Sequence, residues 1–254
     1  DATTILSKRW KHIWRSVTTL RIDRKIKNLN SNTDFINFVH SVLLSRHPTL
    51  PIKTFHLQFT YNYPHESPSK NLTNWVNFVV QRGVECLDLD VTSERLAKFP
   101  ITVLTCKTLV VLKLSSFRVE KDLRTYHVDF DPRESLTCNE WKGFLLSNLF
   151  RADINCYGCY FPLKAVQNAP SLRLIYRQQR YYHNDLIPTF YNLTQLELLC
   201  YDYSKEFILD VLNHCPKLQR LDLTEIGYYH AYARKNDKTN WIFPDVAPLQ
   251  RSTW

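Results

Sequence analysis

The stretches "LTQLEL" at residues 193–198 and "LQRLDL" at residues 218–223 decide the fold. Both follow the pattern L-x-x-L-x-L, and their last leucines alternate with polar residues. Alternation with a period of two is typical of a short strand with one buried face. Variants of the hexapeptide begin at residues 52, 84, 109, 123, 149 and 172, so the pattern occurs eight times. A strand that recurs this often predicts a repeat fold.

Segments with helical periodicity lie between several of these strands. They include "NTDFINFVHSVLLSRH", "NLTNWVNFVVQRG" and "SKEFILDVLNHCP". Asn32 or Thr33 is predicted to cap the first helix, whereas Gly83 and Pro216 are predicted to end the other two. One strand and one helix cannot bury their apolar faces alone, so stacked units are expected. The sequence therefore predicts an α/β solenoid of leucine-rich-repeat type, with a parallel sheet on its concave face and helices outside.

Two places in the repeat are less regular. The hexapeptide "LRTYHV" starts only 14 residues after the one at 109, too close for a strand and a helix. Either about one unit is absent there, or "LRTYHV" is a loop that resembles the pattern, and irregular backbone is expected at 118–123. Further on, "QNAPSLRLI" and "NHCPKLQRL" are aligned on Pro170 and Pro216. This alignment predicts that the two units share one register.

Composition excludes several classes of protein. The chain has 254 residues, 44% of them hydrophobic, which is enough for a sizeable core. Only four glycines are present, which argues against glycine-rich phosphate loops, and no apolar run approaches the roughly 20 residues of a membrane helix. Seven cysteines, an odd number, favour buried thiols in the cytoplasm or nucleus over a disulfide framework.

The positive charge is concentrated at the N-terminus. The net charge is +9, and residues 1–27 supply +6 of it through eight Lys and Arg against two Asp. Most of the chain is therefore close to electrically balanced. This distribution gives little support to a nucleic-acid groove that runs along the repeats.

The hexapeptide also predicts which side chains face away from the core. The residues after the second and third apolar positions should lie on the concave sheet face, where a target protein would bind. They are His56, Gln58, Asp88, Asp90, Lys113, Ser115, His127, Asp129, Asp153, Asn155, Tyr176, Gln178, Glu197, Leu199, Asp222 and Thr224. Six acids stand against one lysine in this set, which predicts either plain solubility or a basic target.

Other functions find weaker support. "SLRLIYRQQRYYHN" at 171–184 mixes arginines with tyrosines, as single-stranded RNA sites do, but also suits an exposed loop. "CYGC" at 156–159 has no second pair at zinc-site spacing, so no metal site and no cofactor are predicted. No common catalytic motif is present, and the chain is predicted to be non-catalytic. A repeat scaffold whose N-terminal helices only cap the solenoid stays an alternative.

The chain resembles plant F-box proteins that carry leucine-rich repeats and an FBD region. "SKRWKHIW" at 7–14 looks like the end of an F-box, and "SVTTLRID" at 16–23 looks like the first strand after it. "CKTLVVLKLSSF" and "LSNLFRADI" are similar to the repeats, and "WIFPDVAP" at 241–248 is similar to the start of the FBD region. The expected division is an F-box remnant at 1–16, repeats at 17–226, and a loop with the FBD start at 227–254.

The resemblance implies an adaptor of an SCF-type ubiquitin ligase. In such adaptors the F-box holds a Skp-family linker subunit and through it a cullin, while the repeats hold the target. By resemblance the F-box residues are Leu6, Ser7, Arg9, Trp10 and Trp14. Leu6 and Trp10 are expected to act mainly in packing. The family pattern also implies an F-box that begins before Asp1 and an FBD region that continues past Trp254, so linker binding is expected to need the preceding half.

Overall fold

The computed structural model describes residues 13–24, 31–61, 69–93, 97–118, 144–156, 161–177, 187–201 and 205–225. Within these ranges no helix is long and apolar enough to cross a membrane. The elements named below all lie in this part of the chain.

A single parallel sheet contains all nine described strands. Eight of them follow chain order across the sheet, and the short β4 pairs with β5 beside them. The strands are β1 Thr19–Asp23, β2 Thr54–Tyr61, β3 Cys86–Ser93, β4 Ala97–Lys98, β5 Val111–Arg118, β6 Arg151–Cys156, β7 Ser171–Arg177, β8 Gln195–Tyr201 and β9 Arg220–Glu225. The predicted α/β class with a parallel sheet is confirmed.

Helical segments connect several of these strands. The helices are α1 Asn32–Leu44, α2 Ser69–Gln81 and α3 Lys205–Asn213, and short 3-10 turns occupy Ile101–Thr105 and Leu163–Val166. The predicted caps of α1, Asn32 or Thr33, lie one and two residues late, because the Ser31 side chain accepts the hydrogen bond from the Asp34 amide at 3.0 Å. Gly83 follows α2 with φ of 73°, the left-handed conformation that glycine adopts most easily.

Strand alignment is fixed by a repeated backbone contact just before each strand. The carbonyl of Thr18 accepts hydrogen bonds from the amides of Lys53 and Thr54 at 2.9 and 3.1 Å. The carbonyls of Lys53, Glu85, Val110, Pro170 and Thr194 each accept two amides of the following strand in the same way. These carbonyls align the start of the following strand, and the Phe150 carbonyl does the same for β7 through the Ser171 amide alone, because Pro170 has no N–H.

The seventh strand shows that one predicted register was wrong. Ser171 pairs with Gln195, and Gln195 pairs with Arg220, so Pro170 lies level with Gln219 rather than with Pro216. The hexapeptide of this unit thus begins at Ala169, three residues earlier than predicted. The reason is that Ala169 is buried and fills the first apolar position, which Leu, Ile or Val fills in the other described units.

The irregular stretch after β5 is only partly described. β5 pairs directly with β6, with a shift in register between Ser115 and Phe117. The hexapeptide at 123 and most of the stretch 118–123 lie outside the described residues. The next predicted hexapeptide, at 149, supplies β6 as expected.

The inner side of the sheet forms the core with the helices. Leucines at the predicted positions are almost completely inaccessible, among them Leu57, Leu89 and Leu114, each at 1% exposure or less. An aromatic cluster joins α1, β2 and α2, where the Trp75 ring lies 6.5 Å from that of Phe35 and 6.1 Å from that of Phe59. The repeated apolar positions are thus core positions, as the hexapeptide predicts.

A buried arginine connects the N-terminal segment to the end of α1. Arg46 is only 5% exposed, donates to the Trp14 carbonyl at 2.6 Å, and also donates to the Val17 carbonyl. The His47 amide donates to the Arg15 carbonyl at 3.3 Å beside it. Burial, with a smaller contribution from Arg82, lowers the pKa of Arg46 from its usual value. These contacts hold residues 14–17 against the helix end.

A buried thiol predicts how stability changes at alkaline pH. Burial raises the pKa of Cys215 from 9.0 to about 11, and its thiol donates to the Val211 carbonyl at 3.1 Å. Since the pKa is higher in the folded state, this stabilisation is complete below about pH 9 and is lost as the pH rises toward 11. In urea titrations near neutral pH and at about pH 10, Cys215→Ala is therefore expected to lose less stability on alkalinisation than the wild type. Equal losses in both proteins would contradict this.

Candidate functional site: the outer face of the sheet

Charged side chains form one continuous row across the face of the sheet that points away from the core. Strand pairing places the members at the same level, and we call this set the charged row. It runs Arg21, His56, Asp88, Lys113, Asp153, Arg173, Glu197 and Asp222 from β1 to β9. Alternation with buried neighbours directs each of these side chains outward.

Most members of the charged row are paired with a neighbour on the next strand. Arg173 reaches two carboxylates, with Nη1 at 3.1 Å from Asp153 and Nε at 3.0 Å from Glu197. Asp88 lies 3.1 Å from the His56 ring and 3.8 Å from the Lys113 ammonium. Attraction between opposite charges on adjacent strands stabilises the observed register of the sheet, and the same side chains cover its outer face.

Arg173 occupies the best-connected position of the row. Partial burial acts to lower the pKa of its guanidinium, but the hydrogen bonds and charges of Glu197 and Asp153 outweigh burial, and the pKa is raised. Because both carboxylates already hold it, Arg173 is poorly available to a phosphate backbone. In the stretch 171–184, which the sequence leaves open between an RNA site and an exposed loop, the first arginine is therefore already paired, and residues 178–184 lie outside the described part.

A second row lies two residues further along each strand. It contains Asp23, Gln58, Asp90, Ser115, Asn155, Ile175, Leu199 and Thr224. The Gln58 amide donates to Asp90 at 2.9 Å. The row is polar over β2–β6 and becomes apolar at Ile175 and Leu199.

Pairing corrects the predicted membership of the outer face at β7. Tyr176 is level with Cys200 and falls in neither row, because the predicted register of this unit was displaced by three residues. Arg173 and Ile175 take the expected places instead. Strict alternation along Ser171–Arg177 would have found them.

The charge balance of the face also differs from the prediction. Arginines that the hexapeptide rule did not count share the face with Lys113, and one of them, Arg220, pairs with Asp222 at 2.8 Å. The outward cations are Arg21, Lys113, Arg151, Arg173 and Arg220, and the outward acids are Asp23, Asp88, Asp90, Asp153, Glu197 and Asp222. Among the side chains that the structure describes, five cations against six acids is nearly neutral, so a basic target stays a prediction without electrostatic support.

Several predicted site residues cannot be placed. Leu6, Ser7, Arg9, Trp10, His127, Asp129 and Gln178 lie outside the described residues, as do residues 157–159 of "CYGC" and the segment 241–248. Trp14, the remaining F-box residue, is half-buried next to the Arg46 contact. Within the described ranges no three His, Cys, Asp or Glu side chains are grouped to hold a metal ion.

The described residues thus form a mixed α/β fold with one parallel sheet, whose outer face is largely polar and ion-paired. No protein-family model matches the chain, and no solved structure matches it. Several curated plant proteins do.

The chain is 33% identical over 114 residues to FBD-associated F-box protein At1g66310 of Arabidopsis thaliana, which covers 44% of this chain and 24% of that protein. It is 33% identical over 139 residues to F-box/FBD/LRR-repeat protein At5g56420 of the same plant, covering 50% and 31%. It is 29% identical over 132 residues to F-box/LRR-repeat protein At3g58980, also from Arabidopsis thaliana, covering 52% and 20%. The matches thus span a third or less of each relative, and they confirm the resemblance to plant F-box proteins with leucine-rich repeats and an FBD region.

Proposed function

We propose that the chain is the substrate-recognition part of an SCF-type ubiquitin-ligase adaptor. The observation that carries this proposal is the succession of parallel strands from repeated hexapeptides, found in a chain whose relatives are named F-box, FBD and LRR-repeat proteins. In this proposal the strands and helices form a leucine-rich-repeat solenoid, and the outer face is its concave target-binding side.

The mechanism requires no bond chemistry from this chain. An adaptor raises the local concentration of a target lysine near activated ubiquitin, which makes the encounter nearly intramolecular. The protein acts as a non-catalytic subunit without a cofactor, in the cytoplasm or nucleus. Free thiols at Cys86, Cys106 and Cys215 are compatible with such a reducing compartment.

The two ends of the adaptor have separate tasks. The segment with Leu6, Ser7, Arg9, Trp10 and Trp14 belongs to the F-box, which contacts the Skp-family linker and through it the cullin. Arg46 connects this segment to the end of α1 through the carbonyls of Trp14 and Val17. The repeats between residues 17 and 226 then present the target in a fixed direction relative to the linker.

Affinity capture of the full-length gene product tests this proposal. Linker and cullin subunits are expected in the eluate of the wild type and of Asp222→Asn, which alters only the outer face. Trp10→Asp is expected to remove both subunits, because a charge replaces an apolar side chain of the F-box. Capture of the wild type without a linker subunit would overturn the proposal.

A further inference from the structure

A pair of exposed apolar side chains lies at the edge of the sheet where the strands begin. Phe150 is 60% exposed and Val110 is 38% exposed. The two are neighbours, since the Phe150 amide donates to the Val110 carbonyl at 2.8 Å. Pro170 is the next residue along this edge, because the Ser171 amide donates to the Phe150 carbonyl at 3.2 Å. The three form a short apolar strip.

The fold does not require apolar side chains at this level. The position just before each strand acts through its backbone carbonyl, and it is Lys53 before β2, Glu85 before β3 and Thr194 before β8. A polar side chain therefore serves equally well there. A contiguous exposed apolar strip on an otherwise polar edge indicates an interaction surface.

The charges next to the strip are positive. Arg151 follows Phe150 directly and is exposed, and Lys107 is held nearby because its carbonyl accepts from the Asn148 side chain at 2.7 Å. Neither cation forms an ion pair with another described residue. On the other side of Val110, Glu85 is already paired with Lys53 at 2.9 Å. An approaching carboxylate thus meets two cations that form no ion pair within the described part of the chain.

We propose that Val110 and Phe150, flanked by Lys107 and Arg151, form a docking site for an acidic peptide segment of the target protein. An apolar side chain of that segment packs against Phe150, and adjacent carboxylates pair with Arg151 and Lys107. Aromatic and arginine residues are the types that dominate binding energy in protein interfaces. The inference rests on the adaptor function and deepens it, because it gives the chemistry of the target.

Selection from a library of random dodecapeptides, with the purified 254-residue chain as bait, provides the test. Retained peptides are expected to contain an apolar residue next to Asp or Glu. In fluorescence anisotropy with these synthetic peptides, Phe150→Thr and Arg151→Glu are each expected to weaken binding by about tenfold or more. Phe150→Thr copies the residue found before β8, so its urea midpoint should match the wild type.

Leu44→Thr is the matched control, since Leu44 is 79% exposed but lies on α1. Its peptide affinity is expected to stay within about twofold of the wild type. Failure to retain any peptide, a basic consensus, or affinity unchanged by Phe150→Thr would each overturn the docking site. Linker capture by the full-length Phe150→Thr protein should be normal, so loss of linker binding in the wild type would count against the adaptor function and not against this site.

Discussion

Replacing Trp75 with alanine is expected to lower the free energy of unfolding by about 3–5 kcal/mol, the usual cost of removing a buried aromatic side chain. Trp75 is 2% exposed and contacts three rings, including His40 at 5.6 Å and Phe59 at 6.1 Å between centroids. The cluster joins two helices to β2, so the cavity cannot close without moving one of them. Urea denaturation followed by circular dichroism measures the loss.

Trp75→Phe separates packing from hydrogen bonding in the same cluster. The indole Nε1 is buried and has no hydrogen-bond partner among the residues that the structure describes, so phenylalanine removes volume but breaks no described hydrogen bond. The expected loss is below about 2 kcal/mol. Tyr191→Ala removes an aromatic ring that is 64% exposed and should cost less than about 0.5 kcal/mol. A Trp75→Ala loss no larger than that of Tyr191→Ala would show that the cluster contributes little.

Arg46→Met is expected to cost about 2–3 kcal/mol of stability, with the damage concentrated at β1. The substitution leaves the carbonyls of Trp14 and Val17 without their donor. Removing a buried charge regains some desolvation energy, but the two charge-assisted hydrogen bonds are worth more. The stability of Arg46→Lys is expected to lie between those of the wild type and Arg46→Met, because a single ammonium group lacks the planar fork that reaches both carbonyls.

Hydrogen exchange distinguishes this local effect from general destabilisation. Amides of β1 and the adjoining edge of β2 are expected to lose protection in Arg46→Met, while those of β5–β8 keep it. Arg21→Met serves as the control, since Arg21 is exposed on β1 and should cost less than about 0.5 kcal/mol. Unchanged exchange at β1 in Arg46→Met would refute the proposed connection.

The sequence predicts most of the sheet because its signal repeats. Seven of the eight predicted hexapeptides supply or adjoin a described strand; in five of those seven the apolar positions are buried, and in the one at 218 they are partly buried. The predicted start of the hexapeptide at 172 was wrong, because alanine occupies the first apolar position and the pattern therefore matched three residues too late. A single small residue is enough to displace a match that relies on leucine.

The outer face was predicted less completely than the core. The hexapeptide marks two outward positions per strand but not the one at the strand start, so Arg151 and Arg220 were missed, and the displaced register hid Arg173. Arg46 gave no signal at all, because a buried arginine that binds carbonyls 29 and 32 residues away depends on tertiary contacts. Such pairings are invisible to local periodicity.

The doubly accepting carbonyls before the strands have a consequence for tolerance to insertion. β6 follows β5 after a long connection, from Arg118 to Arg151, whereas β7 follows β6 after a short one, from Cys156 to Ser171. Both strands are nonetheless anchored to the preceding strand, β6 by two amides on the Val110 carbonyl and β7 by the Ser171 amide alone on the Phe150 carbonyl, because Pro170 has no N–H. Lengthening a connection costs only about 0.6 kcal/mol per doubling. The connections between the strands can therefore accept inserted sequences, such as epitope tags or reporter domains, without a change in the spacing of the strands.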